Sequence, residues 1–117
     1  MSLSGRVKGD VDASAQIALY RITQEALSNA VRHAPGAAIS VALSSTEEHI
    51  SVWIANSTST EPVAHTSGGG HGVRGMTERA ELLGGSVQAG PDAAGGWVVS
   101  ARLPRHPASG AAEKGTA

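Results

Sequence analysis

Apolar positions recur at helical spacing, three or four residues apart, from about residue 13 to Ala34. Asp12 and Ser14 are both suitable N-caps, and Pro35-Gly36 stops the run, so one long helix is expected there. Ile39, Val41 and Leu43 then alternate with smaller or polar residues, and Ile50, Val52 and Ile54 do so again after a polar turn at Ser44 to Glu48. This period of two predicts a β-hairpin. Residues 56–70 are polar, then glycine-rich, and have no period. A second helix is expected from about Gly72 to Leu83, with Val73, Met76, Ala80 and Leu83 on one face and Gly84-Gly85 at its end. Ser86 to Ala89 and Gly96 to Leu103 read as two further strands joined by a turn. Val7 and Val11 suggest a weak edge strand within Gly5 to Val11. The order helix, hairpin, loop, helix, hairpin predicts an α+β fold: a two-layer sandwich with a mixed, mostly antiparallel sheet and helices on one face.

The 117 residues suit one domain. Nine basic and ten acidic side chains give a net charge of -1, so no broad basic surface argues for nucleic acid, and none is expected as a partner. Cysteine is absent, which removes disulfides and thiolate metal sites. No apolar run approaches the roughly 20 residues that cross a bilayer, and membrane contact by this segment is not expected. With no Phe and 3% aromatic residues, the core must come from Val, Ile, Leu and Ala, with Trp53 and Trp97 as large pieces.

Two constellations could carry chemistry. On the long helix Glu25, Asn29 and His33 follow one another every four residues and lie within roughly 80° of arc. The apolar stripe of Leu19, Ala26, Leu27, Ala30 and Val31 takes the opposite arc. Glu25 could orient or deprotonate a hydroxyl, Asn29 could offer a neutral oxygen to Mg²⁺, and Arg32 or His33 could touch phosphate. A solvated face with an Arg21 to Glu25 pair accounts equally for the spacing. The second constellation is Gly70-His71-Gly72-Val73-Arg74-Gly75. Glycines let backbone N-H groups approach an anion, and the helix N-terminus that follows adds partial positive charge. The motif does not directly follow a strand, as a dinucleotide-binding motif does, and lacks the Lys-Ser/Thr of a P-loop. The five histidines, at 33, 49, 65, 71 and 106, form no zinc-binding spacing.

Taken together, Gln24-Glu25-Ala26-Leu27-Ser28-Asn29-Ala30, Arg32-His33-Ala34, Gly70 to Arg79 and Leu82-Leu83-Gly84-Gly85 closely resemble the catalytic ATP-binding domain of sensor histidine kinases. The resemblance is nearest to the nitrate-sensor and DesK-like subgroup of two-component kinases. It implies the Bergerat fold shared with gyrase, Hsp90 and MutL, with ATP and Mg²⁺ as cofactors. On this resemblance Glu25 matches the glutamate that assists phosphoryl transfer and Asn29 the asparagine that holds Mg²⁺. Arg32 and His33 match the basic pair near the phosphates. Gly70, Gly72 and Gly75, with His71 and Val73 between them, match the glycine box around the phosphates, and Ser57 to Gly69 becomes the ATP lid. The implied partners are the dimerisation domain that carries the phosphoacceptor histidine and, through the parent protein, a response regulator. The expected setting is cytoplasmic, with the parent kinase membrane-anchored, and the fragment is expected to be monomeric.

The chain departs from the family pattern in two places. Asn56-Ser57-Thr58 stands where the family has an aspartate, followed by a glycine, that accepts a hydrogen bond from the adenine amino group. A neutral amide forfeits the charge-assisted form of that bond, which is about twice as strong as a neutral one. Trp97 replaces a small hydroxyl residue after Gly95-Gly96. Residues 6–104 are read as the catalytic domain, 1–5 as an appended remnant without pattern, and 105–117 as a disordered tail. With no helix before residue 13 to carry a phosphoacceptor histidine, the chain is expected to be a catalytic fragment. Two other readings remain open: an anti-sigma-factor-type serine kinase of the same fold, and a nucleotide-binding scaffold without kinase activity.

Overall fold

The computed structural model describes residues 2–58, 70–93 and 95–107. Along the chain these form β1 (Ser2–Gly5), α1 (Ala13–His33), β2 (Ile39–Ser45), β3 (His49–Asn56), α2 (Gly70–Glu81), β4 (Ser86–Pro91) and β5 (Trp97–Pro104). The strands make one sheet in the order β1-β2-β3-β5-β4. Only β1 and β2 run parallel, and the other three pairings are antiparallel. Strand residues alternate between faces, so Ile50, Val52 and Ile54 of β3 and Val99, Ala101 and Leu103 of β5 all point to one side and are buried. Trp53, on the other side of β3, is 44% exposed. Both helices cover the buried side, α1 against β3 and β5, and α2 against α1, β4 and β5. This is the expected two-layer α+β sandwich with a mixed, mostly antiparallel sheet.

The buried stripe of α1 is Ala15, Ala18, Leu19, Ile22, Ala26 and Ala30. Val31, expected on that stripe, is 63% exposed. The reason is rotation: five residues after Ala26 the helix has turned about 140° away from it. The same geometry corrects the placing of the polar row. Asn29 lies only about 60° from Ala26 and His33 about 20°, so the row drifts into the buried arc instead of opposing it. In α2 the expected face holds, with Met76 and Ala80 buried and Val73 and Leu83 packed against the core. The helix begins at Gly70, earlier than the spacing suggested. It ends in a Schellman motif: Gly85 N-H donates to Ala80 O at 2.8 Å, Gly84 N-H to Glu81 O at 3.0 Å, and Gly84 has a φ of 82°.

The ends of the chain differ from expectation. The edge strand is Ser2–Gly5, in register with Ser40 to Leu43, rather than the stretch around Val7. Backbone pairing along an edge needs no hydrophobic pattern, which is why these residues looked blank. At the other end Arg105, assigned to the tail, is 8% exposed. Its Nε donates to Thr46 O at 2.7 Å and its Nη1 to Asp10 O at 3.2 Å. It ties the β2–β3 turn, the approach to α1 and the end of β5 together. His106 Nδ1 lies 2.8 Å from Asp12 Oδ1, so the Asp12 carboxylate faces His106 and does not cap the helix it precedes. Residues 108–117, and 59–69 of the expected lid, lie outside the described residues.

Candidate functional site

A cavity of about 540 Å³ opens between α1, the end of β3, the start of α2 and the β4–β5 turn. Pockets for nucleotide-sized ligands span roughly 300–1,000 Å³. Its α1 wall is Ala26, Asn29, Ala30, His33 and Ala34. Alanine every fourth residue keeps the wall low, so a flat ring can lie against the helix backbone between the two polar side chains. The floor is apolar, from Ile54, Ala89 and Val99. Val73 of α2 closes one side, and Asn56, Ser57, Thr58, Gly95, Gly96 and Trp97 form the far end. The cavity is thus apolar with few polar groups at its rim, the usual composition of a small-molecule site.

Of the residues singled out in the sequence, Asn29, His33, Asn56 and Val73 share this cavity, and so does Trp97. Glu25 is half-buried one turn before Asn29 and does not line it. Helical drift explains the split, because Glu25 lies about 100° from Ala26 and therefore at the edge of the buried arc. No ion pair joins Glu25 to Arg21 among the described residues. Arg32 is exposed and its Nη2 donates to Asn29 Oδ1. Gly70, His71, Gly72 and Gly75 lie in the first turns of α2, and an added Cβ at Gly75 would meet nothing within 4 Å. Among the described residues, nothing packs against that position of the helix.

The end of β3 is built with little slack. Asn56 pairs with Trp97 across the β3–β5 ladder. Gly96 approaches so closely that a Cβ there would lie 2.0 Å from Asn56 O, so only glycine allows the two backbones to meet. The turn is held by Asp92, whose Oδ1 accepts from Gly96 N-H at 2.9 Å. Ser57 is pinned to the start of β2: its N-H donates to Ala38 O at 2.9 Å, and its Oγ accepts from Ala38 N-H at 2.9 Å. Asn56 is 8% exposed, and its Nδ2 donates to Ser57 O at 3.0 Å.

The donor set can be tested against Mg²⁺. Among the described residues no three His, Asp or Glu side chains stand together as a metal cage. Mg²⁺ usually takes one or two protein oxygens and completes its octahedron with phosphate and water. A single amide oxygen on a cavity wall, Asn29 Oδ1, fits that pattern once Arg32 releases it. The sequence did not single out the alanine spacing at 26, 30 and 34 as a wall, while Thr58 and Gly95 were named there only as neighbours of Asn56 and Trp97. The alanines were visible as an i, i+4, i+8 series, whereas the turn residues come near only through strand pairing.

Comparison with known proteins places this geometry. Residues 14–107 match the model of the histidine kinase-, DNA gyrase B- and HSP90-like ATPase family. The sensor histidine kinase YxjM of Bacillus subtilis (strain 168) is 35% identical over 86 residues, which is 74% of this chain and 20% of YxjM. The chain thus spans about one fifth of that relative. Among solved structures, the mycobacterial sensor histidine kinase MprB superposes with a TM-score of 0.63 at 19% identity, covering 91% of this chain and 84% of that one. The catalytic domain of the histidine kinase ThkA gives 0.65 at 16% identity, covering 91% and 78%. At such identities the structures attest the fold, and the family match carries the rest. The chain belongs to the histidine kinase-, DNA gyrase B- and HSP90-like ATPase family.

Proposed function

We propose that this domain binds Mg²⁺-ATP in the cavity beside α1 and donates the γ-phosphoryl group to a histidine on a separate dimerisation domain, for relay to a response regulator. The observation that carries this reading is the meeting of Asn29, His33, Asn56 and Val73, from three different elements, around one apolar cavity. The base would lie towards Asn56 and Trp97, with the alanine wall beneath it. The phosphates would extend towards His33, Arg32 and the first turn of α2. There the backbone N-H groups at the start of α2, those of Gly70, His71 and Gly72, would face anionic oxygen. Val73 and Gly75 keep that end of α2 apolar and open. Bound Mg²⁺ would neutralise phosphate charge, with Asn29 Oδ1 as its protein ligand. Arg32, on losing Asn29, is within reach of the same phosphates. Glu25 stands beside the cavity where its carboxylate can accept or orient a proton at the incoming nucleophile. The likeness to the sensor histidine kinase YxjM supports assignment to the nitrate-sensor and DesK-like subgroup, and on the same reading the setting is cytoplasmic and transfer needs the dimerisation domain.

Titration calorimetry of the chain with Mg²⁺-ADP tests the reading. Saturable binding is expected at or below about 1 mM, equivalent to at least about 4 kcal/mol. Asn29→Ala should weaken it strongly with Mg²⁺ present and little in EDTA. Absence of binding at millimolar nucleotide would overturn the proposal.

A further inference from the structure

The long helix carries a second face that the core leaves unused. Ala13, Ile17, Tyr20, Gln24, Leu27 and Val31 follow one another at alternating steps of four and three residues. That spacing keeps them within roughly 80° of arc, centred about 155° from the buried stripe of Ala15 to Ala30. They therefore point almost directly away from the sheet. Ile17, Tyr20 and Val31 are 56%, 64% and 63% exposed. Ala13 and Gln24 are exposed as well, and only Leu27 is half-buried. Single apolar residues on a surface need no explanation, but an uncharged heptad register along a whole exposed helix does. The charged residues of α1, Arg21, Glu25, Arg32 and His33, all lie outside this arc.

We propose that this face is a self-association seam, on which α1 of a second copy of the chain packs antiparallel about a two-fold axis. The occupant follows from the face itself, because the face is self-complementary. With the axis near residue 22, Ala13 meets Val31 of the second copy, Ile17 meets Leu27 and Tyr20 meets Gln24, so every seam position is used. The end layers set the smallest side chain against a branched one. In the central layers the Gln24 amide, which now donates to Tyr20 Oη of its own helix at 3.2 Å, gains the Tyr20 hydroxyl of the second copy. A parallel pairing would instead stack Tyr20 on Tyr20 and align the two helix dipoles. No charge lies in the seam, so closing it desolvates no ion. The product is four layers, sheet, helix, helix and sheet, with Asn29 and His33 left on the far side of α1. A helix pair about 27 Å long buries less than the standard interface of about 1,600 Å², so association at about 0.1 mM is expected. The inference is independent of the nucleotide reading, and it replaces the monomer expected from the sequence with a concentration-dependent dimer.

Sedimentation equilibrium of the whole chain from about 10 μM to about 1 mM tests the seam. The average mass is expected to rise with concentration from 11.8 kDa towards twice that value. Tyr20→Glu places like charges near the axis and should weaken association about tenfold or more, with the helical circular dichroism unchanged because Tyr20 is exposed. The chain has no cysteine, so introduced thiols report only the contact under test. Ala13→Cys mixed with Val31→Cys should cross-link on oxidation, whereas Val31→Cys alone should not. A native chain still monomeric at about 1 mM would show that the face belongs to another partner and overturn the proposal. Association unaffected by Tyr20→Glu, or Val31→Cys cross-linking to itself in preference to Ala13→Cys, would overturn it equally.

Discussion

Arg105 holds three separated segments with one guanidinium. Two backbone carbonyls, Thr46 O and Asp10 O, accept from it, while its own backbone N-H donates to Glu48 O and its carbonyl accepts from Asp12 N-H, both at 2.9 Å. Replacing it by methionine keeps the apolar stem and removes the donors. Arg105→Met is expected to cost about 1–3 kcal/mol, read as a lowered urea midpoint with unchanged slope. Sequence gave no warning, because an arginine after the last strand, followed by Pro, Ala and Gly, has the composition of a tail. Asn29 and His33 illustrate the converse. Their spacing was legible, but their depth follows from how far the row has rotated relative to Ala26, and that needed the buried arc to be known.

At the level of elements, the long helix, both hairpins and the glycine ends follow from period and turn chemistry. Their boundaries moved by a few residues, as at Gly70, where glycine's poor helix propensity hid the first turn. The close contacts between elements were not legible. Gly96 reads as one more glycine in a turn, yet it is where β5 touches the end of β3. Gly96→Ala should therefore destabilise the fold by about 1–3 kcal/mol. It should also weaken Mg²⁺-ADP binding, since displacing β5 displaces Asn56. Gly90→Ala is the control, because a Cβ there meets nothing within 4 Å, and its melting temperature and affinity should stay close to native. Equal effects of the two substitutions would show that the contact is not what matters.

Across the whole molecule, one core joins the sheet to both helices. Ile22, Ile50, Met76, Leu103 and Val52 are its largest fully buried side chains. Met76 brings α2 to that core, so Met76→Ala is expected to cost about 2–5 kcal/mol by thermal or chemical unfolding. It should loosen the phosphate end of the cavity before the adenine end, because α2 contributes only to the former. The sequence by itself determined the order of the two helices and two hairpins, the buried faces of the hairpin strands and of α2 and, through two motifs some forty residues apart, the family. Those depend on local period and on residue types that chemistry requires. Only the tertiary structure decided that Ser2–Gly5 pairs as an edge strand, that Arg105 is structural, that Glu25 stands beside the cavity while Asn29 and His33 line it, and that Gly96 meets Asn56 at the end of β3. Each of these depends on a partner distant in sequence, and the partner, not the residue, determines the geometry.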